Sequence, residues 1–110
     1  MPLYLFQFAY TPDAWRTFVQ NPEERGQAAT ALIEHLGGRP IGFYQCFGEY
    51  DGVALFEASD DTIAGAVAIA VFGLGSLQTM KTTKLFTMGE SMEMLRKVGT
   101  ITDQGNAWGD

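Results

Sequence analysis

Cysteine, histidine and cationic side chains are scarce in this chain, and each scarcity closes off a class of chemistry. Cys46 stands alone, so no intrachain disulfide can form and a reducing compartment is expected. His35 is the single histidine, whereas zinc sites draw on several His or Cys ligands, so no metal site is expected. Seven Lys and Arg stand against thirteen Asp and Glu, a formal net charge of −6. Phosphate backbones demand clustered cations, so neither nucleic acid nor an anionic membrane surface is expected as a partner.

Long apolar runs are missing as well. None approaches the ~20 residues of a membrane-spanning helix, and the longest, Ile63 to Leu74, is interrupted by Gly65 and Gly73. Met1-Pro2-Leu3-Tyr4 lacks the basic start and apolar run of a secretory signal, so a cytoplasmic location is expected. No Gly-x-Ser-x-Gly, His-Glu-x-x-His or Walker pattern occurs, and no cofactor is expected. Gly73-Leu74-Gly75-Ser76 follows a helix instead of opening one, which removes the geometry of a phosphate loop.

What remains is a chain of 110 residues, the size of one domain. Its charged fraction of 18% is low for a free surface and suggests that another subunit covers part of it. Leu3 to Tyr10 reads as a strand with Tyr4, Phe6, Phe8 and Tyr10 on one face. Thr11 caps a short helix with Pro12 at its first position and an apolar stripe of Trp15, Phe18 and Val19. Pro22 breaks the pattern, and a longer helix restarts at Asn21 and ends at Gly37-Gly38.

Arg39 to Phe47 and Asp51 to Glu57 form a hairpin about Gly48-Glu49-Tyr50-Asp51-Gly52. Asp60 and Asp61 open a helix running to Phe72, so rich in Ala, Val and Ile that burial on most sides is expected. Ser76 to Thr87 reads as extended, and Glu90 to Val98 as a short terminal helix. Residues 1–98 therefore form the domain, and 99–110 a loose tail that Trp108 could anchor.

The order β-α-β-β-α-β is that of the ferredoxin-like α+β sandwich, with a four-stranded antiparallel sheet and helices on one face. The first and third strands should be central. Their second face also carries large apolar side chains, which calls for a cover. A second copy of the same sheet, a homodimer, supplies one.

The turn Gly48-Glu49-Tyr50-Asp51, the opening Leu3-Tyr4-Leu5-Phe6-Gln7-Phe8-Ala9-Tyr10-Thr11-Pro12 and the segment Met80-Lys81-Thr82-Thr83-Lys84 together resemble the GYD-domain family. The resemblance runs from about residue 2 to residue 98, with Glu49 inserted into the Gly-Tyr-Asp tripeptide. It implies a ferredoxin-like domain of the dimeric α/β-barrel type. That wider superfamily includes cofactor-free monooxygenases, small isomerases and haem-binding members, an analogy of fold alone.

Candidate functional residues each have a plainer alternative. Glu49, Tyr50 and Asp51 could stand at a pocket mouth as acid–base groups, but turn chemistry, with Asp51 bonding local backbone, explains them more simply. His35 could be a base; the C-terminal dipole of its helix suffices to explain it. Cys46 beside Phe47 reads as a small buried hydrophobe before a nucleophile. Lys81 could hold a carboxylate or enolate, or it could guard an edge strand. Gln7 and Tyr44 are polar candidates within an aromatic surplus, and Met80, Met88, Met92 and Met94 are gap-fillers at core or subunit contacts.

Few titratable groups and many aromatics favour a homo-oligomeric domain that binds an apolar or aromatic metabolite. The expected ligand pocket comprises Gln7, Tyr44, Glu49, Tyr50, Asp51 and Lys81. One alternative is a cofactor-independent monooxygenase or isomerase with Glu49 or His35 as base and Lys81 as stabiliser of negative charge. Another is a structural assembly subunit.

Overall fold

The computed structural model describes residues 1–22 and 25–104, and side chains as far as residue 101. The elements run β1 (Leu3–Tyr10), α1 (Pro12–Gln20), α2 (Arg25–His35), β2 (Arg39–Gln45), β3 (Gly52–Glu57), α3 (Asp61–Gly73), β4 (Leu77–Leu85) and α4 (Met88–Gln104). The strands form one antiparallel sheet in the order β2-β3-β1-β4. This is the expected ferredoxin-like α+β arrangement, with β1 and β3 central.

Period-two alternation divides the side chains between two faces, and the helices make one of them dry. Tyr4, Phe6 and Phe8 of β1 and Ala54 and Phe56 of β3 are buried against Ile33 of α2 and Ala64 and Val67 of α3. Phe56 is fully buried and stacks on Tyr4 at 5.5 Å. The alternate residues Leu3, Leu5 and Gln7, with Val53 and Leu55, face the other way and are half-buried.

Local chemistry fixes the ends of the helices. Thr11 Oγ1 accepts from Ala14 N at 3.1 Å, the expected cap. Asp60 caps α3 by accepting from the amides of Thr62 and Ile63. Gly37, at φ +98°, closes α2 as expected.

Four sequence expectations are corrected. Asn21 is the C-cap of α1 and does not open the second helix, because Pro22 ends the first one. The apolar stripe of α1 stops at Phe18, since Val19 points outward and is 76% exposed.

Helix α3 is not buried on most sides. Only Ala64 and Val67 are enclosed, while Ile69 and Phe72 stand in the open, because a single sheet covers a single stripe.

The terminal helix is longer at both ends than Glu90 to Val98. It starts at Met88 because Thr87 and Glu90 form a reciprocal capping box: Glu90 N donates to Thr87 Oγ1 at 3.0 Å and Thr87 N donates to Glu90 Oε1 at 2.8 Å. It then continues through Gly99 to Gln104, past the expected start of the tail, and Trp108 lies outside the described residues. Met88, Met92, Met94, Leu95, Val98 and Ile101 are all exposed on it, whereas Met80 packs against the core.

Candidate functional site

Two adjoining cavities open on the helix side of the sheet. The inner one, of about 280 Å³, lies between β1, α2 and α3, with Phe6, Phe8, Leu32, Ile33, Val67 and Leu77 among its walls. Its polar lining comes from Tyr10, Arg25 and Ser76. The outer one, of about 290 Å³, is lined by Trp15, Phe18, Gly26, Gln45, Asp51 and Gly52. Tyr10, Arg25 and Phe43 border both.

An aromatic cluster holds the boundary between them. Tyr10 meets Trp15 edge-on at 5.2 Å and Phe18 at 4.9 Å, and Trp15 meets Phe18 at 6.0 Å. The Arg25 guanidinium carbon lies 4.9 Å from the Phe18 ring centre, a cation–π contact that orients its planar fork. Burial pushes the Tyr10 phenol up, an effect that the charge of Arg25 and a hydrogen bond with it oppose.

Asp51 anchors the hairpin to this cluster. Its carboxylate Oδ2 accepts from Tyr10 N at 2.9 Å and from Trp15 Nε1 at 3.2 Å. The backbone repeats the tie, since Asp51 N donates to Phe8 O and Cys46 N donates to Asp51 O, both at 2.8 Å. The expectation that Asp51 bonds local backbone through its side chain is thus corrected. The loop folds over the end of β1, bringing the carboxylate to donors that are distant in sequence.

Glycine permits this path at two points. Gly48 adopts φ +115°, which side chains disfavour. A Cβ on Gly52 would lie 2.5 Å from Cζ of the buried Phe8 ring.

The six residues expected to share a pocket are divided by the sheet. Strand register aligns Lys81, Gln7, Val53 and Tyr44 in one row across β4, β1, β3 and β2. That row lies on the face away from the helices, so Gln7, Tyr44 and Lys81 border neither cavity. Glu49 is exposed in the hairpin loop, and Tyr50 is half-buried with its carbonyl accepting from Cys46 Sγ at 3.3 Å. Asp51 alone among the six lines a cavity.

His35 is exposed in the last turn of α2. Cys46 is half-buried and occupied by the Tyr50 carbonyl. Among the described residues no three His, Cys, Asp or Glu side chains gather as a metal set. Among them, too, no helix is long and apolar enough to cross a membrane.

Nothing in the sequence distinguishes Arg25 from the exposed Arg16 that pairs with Asp13. Tyr10, Trp15 and Phe43 are visible there only as part of an aromatic surplus.

At the core's other end, Tyr4 Oη donates to Asp61 Oδ1 at 2.6 Å, and Lys84 Nζ approaches the same oxygen at 3.1 Å. The hydrogen bond to Asp61, with burial, pushes the Tyr4 phenol up to about 12. The same hydrogen bond, then Lys84, draws Asp61 below its ordinary range.

Solved structures share this arrangement of strands and helices. MtbAldR matches with a TM-score of 0.55 at 11% identity, over 78% of this chain and 52% of its own. TTHA0845 from Thermus thermophilus matches with a TM-score of 0.52 at 20% identity, over 79% and 95%. At these identities the likeness is one of fold.

A nearer sequence likeness is to a Thermus thermophilus protein named glutamine synthetase and cystathionine beta-lyase binding protein. It is 34% identical over 85 residues, which make up 77% of this chain and 86% of that one. The GYD domain model itself matches residues 4–95, from the buried Tyr4 of β1 through the Asp51 hairpin and into α4, and the chain belongs to the GYD domain family.

Proposed function

We propose that this protein is a small homo-oligomeric binding protein whose inner cavity takes an apolar or aromatic metabolite. The observation that carries this is the cavity itself: about 280 Å³, walled by Phe6, Phe8, Leu32 and Val67, with polar groups gathered at Tyr10, Arg25 and Ser76. An apolar body with a few placed polar contacts is the usual make-up of a ligand site.

The oligomer follows from the opposite face. Leu3, Leu5, Val53 and Leu55 are neighbours on a sheet surface that, among the described residues, lies away from α2 and α3, and a second copy would bury them in a dimeric α/β barrel. Gln7, Tyr44 and Lys81 would then lie between two sheets, where a pocket of theirs would require both copies.

Native mass spectrometry of the freshly purified full chain tests both parts. A dimer carrying a small-molecule mass increment is expected. A chain that carries none and also fails to bind added aromatic probes overturns the metabolite reading.

The enzyme alternative needs a base opposed to Lys81. His35 is at the far end of α2, Glu49 is in the exposed loop, and neither borders the cavities. That geometry favours binding over proton abstraction.

A second reading takes a protein as partner. It is favoured by the 34% identical protein named for binding two enzymes, and by Phe47, which is 95% exposed in the hairpin loop. Size-exclusion chromatography of the chain mixed with glutamine synthetase tests it. Co-elution that Phe47→Ser abolishes supports a protein partner, and independent elution removes this one.

A further inference from the structure

Resting on the homo-oligomer reading above, we propose that α4 is a dimerisation arm, which pairs antiparallel with the α4 of a second copy about a two-fold axis at Leu95. The helix is patterned for a partner that its own domain does not supply. Along residues 88–101 every residue is exposed except Ser91 and Gly99, which are half-buried, and none belongs to the core. Met88, Met92, Leu95 and Val98 nevertheless recur at the spacing of one helix face, which Met94 and Ile101 widen.

Area calls for the partner. These six side chains are 41–78% exposed. They amount to on the order of 500 Å² of apolar surface, near the upper end of what a free monomer shows. Each partner in a stable interface buries roughly 800 Å². The arm alone falls short of that, and the sheet face of Leu3, Leu5, Val53 and Leu55 makes up the remainder.

Symmetry makes the partner a second copy. Ser91 and Gly99 stand one turn to either side of Leu95. In an antiparallel pair centred there, Ser91 of one copy meets Gly99 of the other, where little side chain holds the helices apart, and Met92 meets Val98. Charge agrees in sense: Glu90 and Glu93 precede Leu95, while Arg96 and Lys97, with Asp103, follow it. Antiparallel packing sets the acidic half beside the mainly basic one, whereas parallel packing would align like charges. Arg96 also reaches Glu93 of its own helix at 2.9 Å across exposed positions, so these charges choose the orientation and the apolar stripe carries the affinity. A membrane surface fits less well, because interfacial helices carry a cationic polar face and this one is mixed, in a chain of net charge −6.

Cysteine cross-linking of the full chain tests the arm, with Cys46→Ser removing the native thiol. Under mild oxidation Leu95→Cys should give a disulfide-linked dimer as the main species, since the axis brings the two positions together. Met88→Cys should not, because its two copies would lie about 20 Å apart along the pair, beyond the ~7 Å that a disulfide spans between Cα atoms. Leu95→Lys should weaken self-association at least about tenfold in sedimentation velocity, with circular dichroism unchanged because α4 supplies nothing to the core. A wild-type dimer in which Leu95→Cys stays unlinked, in which Met88→Cys links as readily, or which Leu95→Lys leaves intact overturns the antiparallel arm while leaving the sheet-face dimer. A wild-type monomer overturns the arm and the homo-oligomer reading together.

Discussion

Asp51 and Trp15, 36 residues apart in sequence, are joined by a hydrogen bond of 3.2 Å from the indole to the carboxylate. The same oxygen takes the backbone N–H of Tyr10 at 2.9 Å, so one carboxylate fastens the β2–β3 loop to the junction of β1 and α1. The acidic residue of the hairpin is therefore a clamp between elements and forms part of the outer cavity wall.

Truncating that clamp leaves two donors without their acceptor. Asp51→Ala is expected to lower unfolding free energy by about 2–3 kcal/mol, and Asp51→Asn, which keeps an amide oxygen, by about 1 kcal/mol. Urea denaturation measures both. A change within error for the alanine variant would mean that the loop stays in place without the carboxylate.

Gly52 and Gly48 separate two reasons for glycine. At Gly52 a methyl group would meet the Phe8 ring, which is itself wedged between Phe6, Tyr10 and Phe43 at 5.4–5.6 Å. Gly52→Ala should destabilise by about 1–3 kcal/mol through overpacking and distort the adjoining outer cavity. At Gly48 nothing lies within 4 Å, and Gly48→Ala should cost about 1–2 kcal/mol through its φ of +115° alone. Chemical denaturation combined with probe binding distinguishes them, since only the Gly52 variant should lose ligand affinity.

The Tyr4–Asp61 pair makes stability depend on pH at both extremes. Tyr4 titrates in the unfolded chain near 10 and in the fold at about 12, so its contribution is complete below pH 10 and is lost between 10 and 12. Asp61 is lowered from 3.8, so its contribution is complete above that value and is lost as pH falls through the lowered one. Denaturant midpoints measured across pH should show both losses, and Tyr4→Phe should flatten the alkaline one. Ultraviolet titration should find one tyrosine of the four ionising last, and its absence from Tyr4→Phe identifies it.

A cationic side chain on the open sheet face tests the assembly. Leu55 pairs with Leu5 at the middle of that face. Leu55→Lys would place a charge where a second sheet would pack, so sedimentation velocity at micromolar concentration should change from dimer to monomer. A wild-type chain that already sediments as a monomer ends the homodimer reading.

Most of the fold is legible in the chain because its signals are local. Alternation assigns Tyr4, Phe6 and Phe8 to one face of β1, and Thr11, Asp60 and Gly37 mark helix ends through contacts with their immediate neighbours. The capping box Thr87-x-x-Glu90 is equally local, and it places the start of α4 two residues before the position expected from apolar spacing alone.

The site is far less legible, because register and layer decide it. The period of two in a strand puts Gln7 on one face and Phe6 and Phe8 on the other, yet which face receives helices depends on how the crossovers pack. Polar chemistry marks the pocket candidates in the sequence, and three of them fall on the helix-free face. Arg25 carries no sequence mark, and its importance arises only where α2 crosses the sheet and carries it onto Phe18 and the cavity wall.

The sequence by itself determined the order of elements, the division of the first strand's side chains between two faces and the glycine-flanked hairpin, since propensity, capping and periodicity act over a few residues. Only the tertiary structure decided that Asp51 serves Tyr10 and Trp15 instead of its own turn, and that Lys81 and Asp51 lie on different sides of the sheet. Those outcomes depend on contacts between segments tens of residues apart, which hydrophobic burial and strand register bring together and no local pattern encodes.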